Sequence, residues 1–404
     1  MPEGYSTLNL DGEEAYVKVD RLGQLRRVGA VIFDCDGVLI DTRGSYDRAI
    51  SKSVAYVFEA LTRYSTPEGL ISDEVISLFR RSGGFNNDWD TVYGILMFML
   101  CGLPERLRGR LEKEMEQIGS QSEPFKRISS IRESVEKIER DELGDEFFEE
   151  AMDKLKEFTE LLDETGVDSV DRNLTGAAEN SEDLRAFVKV LKRFLCYPGD
   201  VGESIVATVF EEFFCGSELF METFRMEPRF YKGLGLVENE RSIIRPETLD
   251  RLTYFLGRAN FGVASGSRLV PAKYILRELL ERFDPKASIF LDDVEKAESD
   301  HSDRAGLKVN LKKPNPFSLL KAAEAFNPRS VVLYVGDSMA DAMTVREANK
   351  ADLRFIFAGV YGYSHPKDVL LRDFIEFGCD LVLPSVNELP LVLEEIRRGS
   401  VEDR

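Results

Sequence analysis

The chain is poor in the residues that several kinds of chemistry need. It has two histidines among 404 residues, His301 and His365. A histidine-rich metal centre or a Ser-His-Asp relay therefore has little material. The five cysteines, Cys35, Cys101, Cys196, Cys215 and Cys379, are odd in number and widely spaced, with no CxxC pair. That argues against a zinc knot and fits reduced thiols in a cytoplasmic protein. Positive charge is also short. A formal net charge of −20 disfavours nucleic acid and anionic membrane as partners, because their phosphates repel such a chain. A small phosphorylated molecule stays compatible, since a local cluster of donors can override the overall field. No apolar run reaches the ~20 residues of a membrane span. The longest, Tyr93 to Leu103, reads as a buried helix. The first residues, MPEGYSTLNLDGEEAYVKV, place acid where a secretory signal needs a basic start and an apolar centre.

What is present points to a large soluble fold. Hydrophobic residues make up 43% of the chain, enough for a core. The length predicts two domains, or one domain with a large insertion. Val28 to Phe33 (VGAVIF) is a short β-branched run without helical period, and it reads as a buried parallel strand. Phe261 to Ala264, Val331 to Val335, Leu353 to Ala358 and Asp380 to Leu383 read alike. Helical patterns at Pro271 to Phe283, Pro316 to Phe326 and Met339 to Ala348 separate them. This alternation predicts an α/β fold, a doubly wound parallel sheet that binds ligands at the carboxyl ends of its strands.

Between residues 43 and 244 strand signals nearly vanish. Helices are expected over about Ser45 to Leu61, Asp73 to Arg81, Asp88 to Leu100, Arg106 to Ile118, Phe125 to Thr165, Ser181 to Leu195 and Glu203 to Phe224. The expected organisation is a core domain from 1–42 and 245–404, with an α-helical domain, 43–244, inserted after the first strand. Ile131 to Asp168 is heavily acidic, yet Phe148, Met152, Leu155, Phe158 and Leu162 recur every three to four positions. A solvated hairpin with one apolar stripe is the simpler reading, and a partner-binding helix the alternative. Asp168 to Ser181 lacks periodicity and is expected to be a loop.

Four short motifs fall at predicted strand ends. In Val31 to Thr42, VIFDCDGVLIDT, the carboxylates Asp34 and Asp36 share one face of an ending strand. They could be nucleophile and proton donor, or metal ligands. Gly37 permits a sharp turn, and Cys35 should point away from both acids. In Gly262 to Ser267, GVASGS, the Ser265 hydroxyl beside Gly266 fits a phosphate cradle, though Ser-Gly also marks ordinary turns. Lys313, in KKPNP ahead of a helix, could hold an anion or be a solvated loop lysine. In Gly336 to Asp341, GDSMAD, two acids four apart could ligate one hard cation such as Mg²⁺, or Asp337 or Ser338 could simply cap a helix.

The combination VIFDCDGVLIDT, GVASGS, KKPNP and VGDSMAD resembles the haloacid dehalogenase-like superfamily, over about residues 25 to 42 and 245 to 395. DGVLIDT looks like the branch containing phosphoglycolate phosphatase and β-phosphoglucomutase. The resemblance implies a Mg²⁺-dependent phosphatase acting on a small phosphorylated metabolite. Asp34 would attack phosphorus and Asp36 would protonate the leaving oxygen, then activate water. Ser265, Gly266 and Lys313 would hold the phosphoryl group. Asp34, Asp337 and the Asp36 carbonyl would bind Mg²⁺, with Asp341 assisting through water or by positioning Lys313. Dehalogenating relatives lack an acid equivalent to Asp36, because halide leaves without a proton. A sugar-phosphate mutase is the nearest alternative.

The same resemblance makes the inserted helices a cap that closes over the site, larger than is usual in this branch. Within it Gly83 to Trp89, GGFNNDW, is the candidate substrate contact, through Asn86, Asn87, Asp88 and Trp89. The competing reading is a capped helix start with Trp89 packed inward. The motif also looks like a feature of a phosphatase-like subgroup associated with histidine biosynthesis, which makes histidinol phosphate a possible substrate. Arg268 is a further substrate-contact candidate. Glu295 to Leu311 separates Leu291-Asp292-Asp293-Val294 from Lys313 and is expected to be a surface loop. A homo-oligomer is compatible with all of this.

Overall fold

The computed structural model describes residues 2–10, 12–85, 87–120, 123–135, 143–176, 182–306, 309–363 and 366–400. The chain divides into two compact units, residues 1–43 with 240–404, and residues 44–239.

The first unit is built on an eight-stranded sheet. In chain order its strands are β1 (Tyr5–Leu10), β2 (Glu13–Lys18) and β3 (Val28–Phe33), then, after a short β4 (Ile40–Asp41) and β5 (Arg241–Ser242) that pair only with each other, β6 (Phe261–Ala264), β7 (Ser288–Ile289), β8 (Val331–Gly336), β9 (Phe355–Val360) and β10 (Leu381–Leu383). Their spatial order is β1-β2-β10-β9-β8-β3-β6-β7. From β10 to β7 all pairings are parallel, and helices separate the strands in sequence. β3 lies in the middle, with Phe33 opposite Val263 of β6 and Val335 of β8.

Both faces of the sheet are covered, which is why its strands read as unbroken apolar runs. Val31, Phe33, Val263, Leu333 and Val335 enter one hydrophobic cluster. Their strand neighbours Ala30, Ile32, Ala264, Val332 and Tyr334 enter the other. That is the period-two alternation of a pleated strand.

Four features differ from the sequence expectations. The hairpin of β1 and β2 extends the sheet antiparallel to β10, where the sequence carries only a weak strand signal. Glu295 to Leu311, expected as a loop, is helical through Ala305, within a helix spanning Leu291–Ala305. That helix is polar on nearly every side, so it shows no apolar stripe.

The second unit is built from helices, among its described residues Tyr46–Thr62, Asp73–Arg81, Asp88–Cys101, Glu105–Ile118, Pro124–Ser134, Asp145–Thr159, Val167–Gly176, Glu182–Leu195 and Ile205–Phe224. The third difference is the helix at Val167–Gly176, within the segment expected as a loop. It buries only Val170 and Leu174 among its apolar side chains, too few to set a visible period. The expected helix from Phe125 to Thr165 is at least two, Pro124–Ser134 and Asp145–Thr159, and residues 136–142 lie outside the described set. Its apolar stripe is spent on the unit's own core: Phe148, Met152, Leu155, Phe158 and Leu162 are all buried. Phe148 packs edge-on against Phe58 with centroids 5.8 Å apart. No helix among the described residues is long and apolar enough to cross a membrane.

One glycine in this unit makes a clear test of the packing. Gly216 breaks the Ile205–Phe224 helix with φ 71° and ψ 178°. A Cβ there would sit 2.2 Å from Gly235 N and 2.8 Å from Gly233 O. Gly216→Ala should therefore destabilise the protein by about 3 kcal/mol or more, from backbone strain plus overpacking. Gly109, inside a helix with nothing near its Cβ position, should gain up to about 1 kcal/mol on the same change. Denaturant unfolding of the two variants reads both signs.

Candidate active site

The sheet brings three of the four motifs together because β6, β3 and β8 are adjacent and parallel, so their carboxyl ends coincide. Asp34 continues β3, its N–H donating to Val335 O at 2.8 Å. The chain then turns tightly, with the Cys35 carbonyl accepting from Leu39 N (2.7 Å) and Ile40 N (2.9 Å). Cys35 joins the cluster that holds Phe33. Asp34, by alternation, belongs to the opposite face. Gly37 sits at φ +67°, and a Cβ there would lie 2.0 Å from Asp337 Oδ2. Glycine is thus what lets the Asp337 carboxylate lie against the turn.

Asp34 is 7% exposed and Asp341 is fully buried. Lys313 Nζ joins them, 2.9 Å from Asp34 Oδ1 and 2.7 Å from Asp341 Oδ1. Single oxygens of Asp34, Asp337 and Asp341 all lie within 4.8 Å of one another. Burial raises the pKa of Asp34, Lys313 pulls it down and Asp341 pushes it up again; the net direction is upward. Burial opposes charge on Lys313, but Asp34 and Asp341 outweigh it and hold the ammonium well above the usual lysine range.

Asp341 is saturated with donors. Its Oδ1 accepts from Lys313 and from Tyr334 Oη at 2.9 Å. Its Oδ2 accepts from Ser338 N at 3.1 Å and Ser338 Oγ at 2.6 Å. Ser338 in turn caps the Met339–Ala348 helix by accepting from Asp341 N. The capping reading and the site reading of GDSMAD therefore coexist, with Ser338 in the capping role. Asp34 Oδ1 is different: apart from the Lys313 ion pair it is buried with no well-aligned hydrogen bond.

Ser265 follows β6 and is 2% exposed. Its hydroxyl lies 3.0 Å from Ser267 Oγ and accepts from Ser267 N at 3.1 Å. It lies close enough to Asp34 to favour the charged carboxylate. Gly266 lies between the two serines, with open space at its Cβ position.

Other candidates are engaged elsewhere. Arg268 forms a two-pronged pair with Glu295 (2.8 and 3.1 Å) and reaches Asp292 at 3.1 Å, pinning the start of the Leu269–Leu276 helix to the Leu291–Ala305 helix. In GGFNNDW, Asn86 lies outside the described residues. Asn87 caps its helix by accepting from Trp89 N at 3.1 Å. Asp88 pairs with Arg80 at 3.0 Å, and the Trp89 indole donates to Glu211 at 3.0 Å. Sequence reasoning passed over Tyr334 and Ser267. The signal for Tyr334 was a hydroxyl inside the otherwise apolar run VVLYV.

A cluster of carboxylate oxygens, one of them buried and short of hydrogen bonds, suits a hard divalent cation, which prefers oxygen ligands. Among solved structures, an X-ray structure from the Northeast Structural Genomics Consortium matches with 19% identity and a TM-score of 0.54, over 92% of this chain and 99% of that one. The phosphatase Tt82 from Thermococcus thioreducens matches with 19% identity and a TM-score of 0.47, over 91% and 99%. At such identity the first likeness concerns the fold alone. No curated protein sequence matches the chain. Residues 28–349 match the haloacid dehalogenase-like hydrolases, a span that takes in all four motifs, and the chain belongs to that family.

Proposed function

We propose that the chain is a Mg²⁺-dependent phosphatase that hydrolyses a small organic phosphomonoester through an aspartyl phosphate on Asp34. The observation that carries this reading is the meeting of Asp34, Ser265, Lys313 and Asp337 around one set of strand ends. A phosphoryl group bound there would face the Asp34 carboxylate, with the Ser265 hydroxyl and the Lys313 ammonium on its non-bridging oxygens. Asp34 attacks phosphorus and the ester oxygen leaves, taking a proton from Asp36. Asp36 then removes a proton from water, which attacks the phosphorus and frees Asp34. Lys313 offsets the repulsion between an anionic nucleophile and an anionic substrate.

Asp34 and Asp337 would hold the cation, with the main-chain carbonyl of Asp36. Asp341, its acceptor positions filled by protein donors, positions Lys313. When bound, Mg²⁺ supplies charge neutralisation at the transferring phosphoryl group. Asp36 favours an oxygen leaving group over a halide, since only the former needs a proton.

Two measurements test this. Phosphate release from a generic aryl phosphate should require Mg²⁺ and stop with EDTA. Mg²⁺ should raise the thermal midpoint of the wild type, because it binds the folded state, and Asp337→Asn should need at least about 10-fold more Mg²⁺ for the same shift. Release that persists in EDTA would contradict the reading. A screen of phosphorylated metabolites, scored for inorganic phosphate against isomerised product, identifies the substrate and separates phosphatase from mutase.

A further inference from the structure

Tyr334 is the one polar side chain within the apolar run of β8, and it is fully buried. Its hydroxyl lies 2.9 Å from Asp341 Oδ1 and 2.8 Å from Ala264 O. Both are acceptors and a tyrosine hydroxyl has one proton, so the two share it. Burial and the neighbouring Asp341 carboxylate hold the phenol well above its ordinary range, so it remains a donor.

The two acceptors belong to different motifs. Asp341 carries Lys313, and Ala264 immediately precedes Ser265. The ring of the same residue lies under the lysine, with Nζ 5.4 Å from its centroid, within reach of a cation–π contact. Lys313 and Tyr334 are the two side chains that donate to Asp341 Oδ1. Without the hydroxyl, that oxygen would be held by Lys313 alone, and the carboxylate and ammonium could shift together.

We propose that Tyr334 is a positioning residue for phosphoryl transfer: its hydroxyl fixes Asp341 against the end of β6 and thereby sets the distance between Lys313 and Ser265. This rests on the phosphatase reading above and adds to it a residue that never touches the substrate. A misplacement of about 1 Å at a charged contact can cost two orders of magnitude in rate. A lost hydrogen bond to a charged group, with the ring retained, is expected to cost about 10-fold.

The test is a cycle of Tyr334→Phe and Lys313→Met, assayed with an aryl phosphate and Mg²⁺. Tyr334→Phe should lower kcat about 10-fold with KM changed less than about 2-fold, and should weaken inhibition by orthovanadate, a mimic of the transferring phosphoryl group, by a similar factor. In the Lys313→Met background the same change should have almost no further effect, because the residue it positions is gone. A residue with only a packing role would lower the thermal midpoint equally in both backgrounds and leave kcat and vanadate binding unchanged. Wild-type kcat in Tyr334→Phe, or an undiminished kcat penalty without Lys313, would overturn the proposal. Vanadate affinity, measured by equilibrium binding, distinguishes the same two outcomes if the double variant turns over too slowly to assay. Absence of Mg²⁺-dependent phosphate release from the wild type would instead be the failure of the phosphatase reading, and the two failures are told apart.

Discussion

Asp34→Asn should abolish phosphate release, with a fall in kcat of at least about 10⁴-fold, the scale seen when a nucleophile of a concerted catalytic group is removed. An amide oxygen is a poor nucleophile and cannot form a stable acyl phosphate, so no partial activity through the same route is expected. The loss should not come from unfolding. The pKa of Asp34 is raised in the folded chain, chiefly by burial. A carboxyl whose folded value lies above its unfolded value destabilises the fold as pH rises through that interval. Replacing it by a neutral isostere removes that cost. In metal-free protein the thermal midpoint of Asp34→Asn should therefore equal or exceed the wild type near neutral pH. The difference should disappear in acid, below the ordinary carboxylate range, where both side chains are neutral. A variant that lost activity together with a large drop in midpoint would speak for a structural aspartate.

Lys313→Met should have the opposite effect on stability and a comparable direction in activity. The lysine side chain is 14% exposed and lies within 2.9 Å of both Asp34 and Asp341. Methionine keeps the length but strands two buried carboxylates beside Asp337. Breaking a buried pair by removing one partner costs about 3–5 kcal/mol, read by denaturant unfolding in EDTA. Loss of a charged phosphoryl contact should lower kcat/KM by about 10²–10³-fold. Mg²⁺ should return part of the lost stability, because it places positive charge among the same carboxylates. It should not return the activity, since the lysine holds substrate. Lys313→Arg is expected to be a poor substitute: the planar guanidinium is larger than the ammonium wedged between Asp34 and Asp341.

Much of the core was legible because it is a buried parallel sheet. Strands covered on both faces leave unbroken runs such as VGAVIF and VVLYV, and the polar residues that end them are conspicuous. Asp34, Ser265 and Asp337 each follow such a run directly. Lys313 does not. It follows no strand in sequence, and its place beside Asp34 comes from the tertiary fold.

Other parts were hidden for identifiable reasons. The Leu291–Ala305 helix carries charge nearly all round and is anchored through Arg268 to Glu295 and Asp292, contacts between segments that no periodicity reports. In the N-terminal hairpin, Ala15 and Val17 are the fully buried positions of β2, and two residues make a thin alternation. Asp11-Gly12 between the two runs was the short-range sign of a hairpin. Asn87, Asp88 and Trp89 looked suited to a ligand because amide, acid and indole stood together. In the fold they supply a helix cap, an ion pair with Arg80 and a hydrogen bond to Glu211. Identical residue types serve either purpose, and only geometry distinguishes them. Asp341 carries both features within the site: its carboxylate lies within 4.8 Å of those of Asp34 and Asp337, and four protein donors, Lys313 among them, also hold it.

The most direct test of the account is chemical trapping on Asp34. Wild-type enzyme mixed with Mg²⁺ and an excess of aryl phosphate, quenched during turnover and reduced with borohydride, should yield homoserine at position 34 by peptide mass spectrometry, and none without substrate. Phosphate release at a normal rate with residue 34 recovered only as aspartate, under conditions that trap a known acyl phosphate, would contradict it.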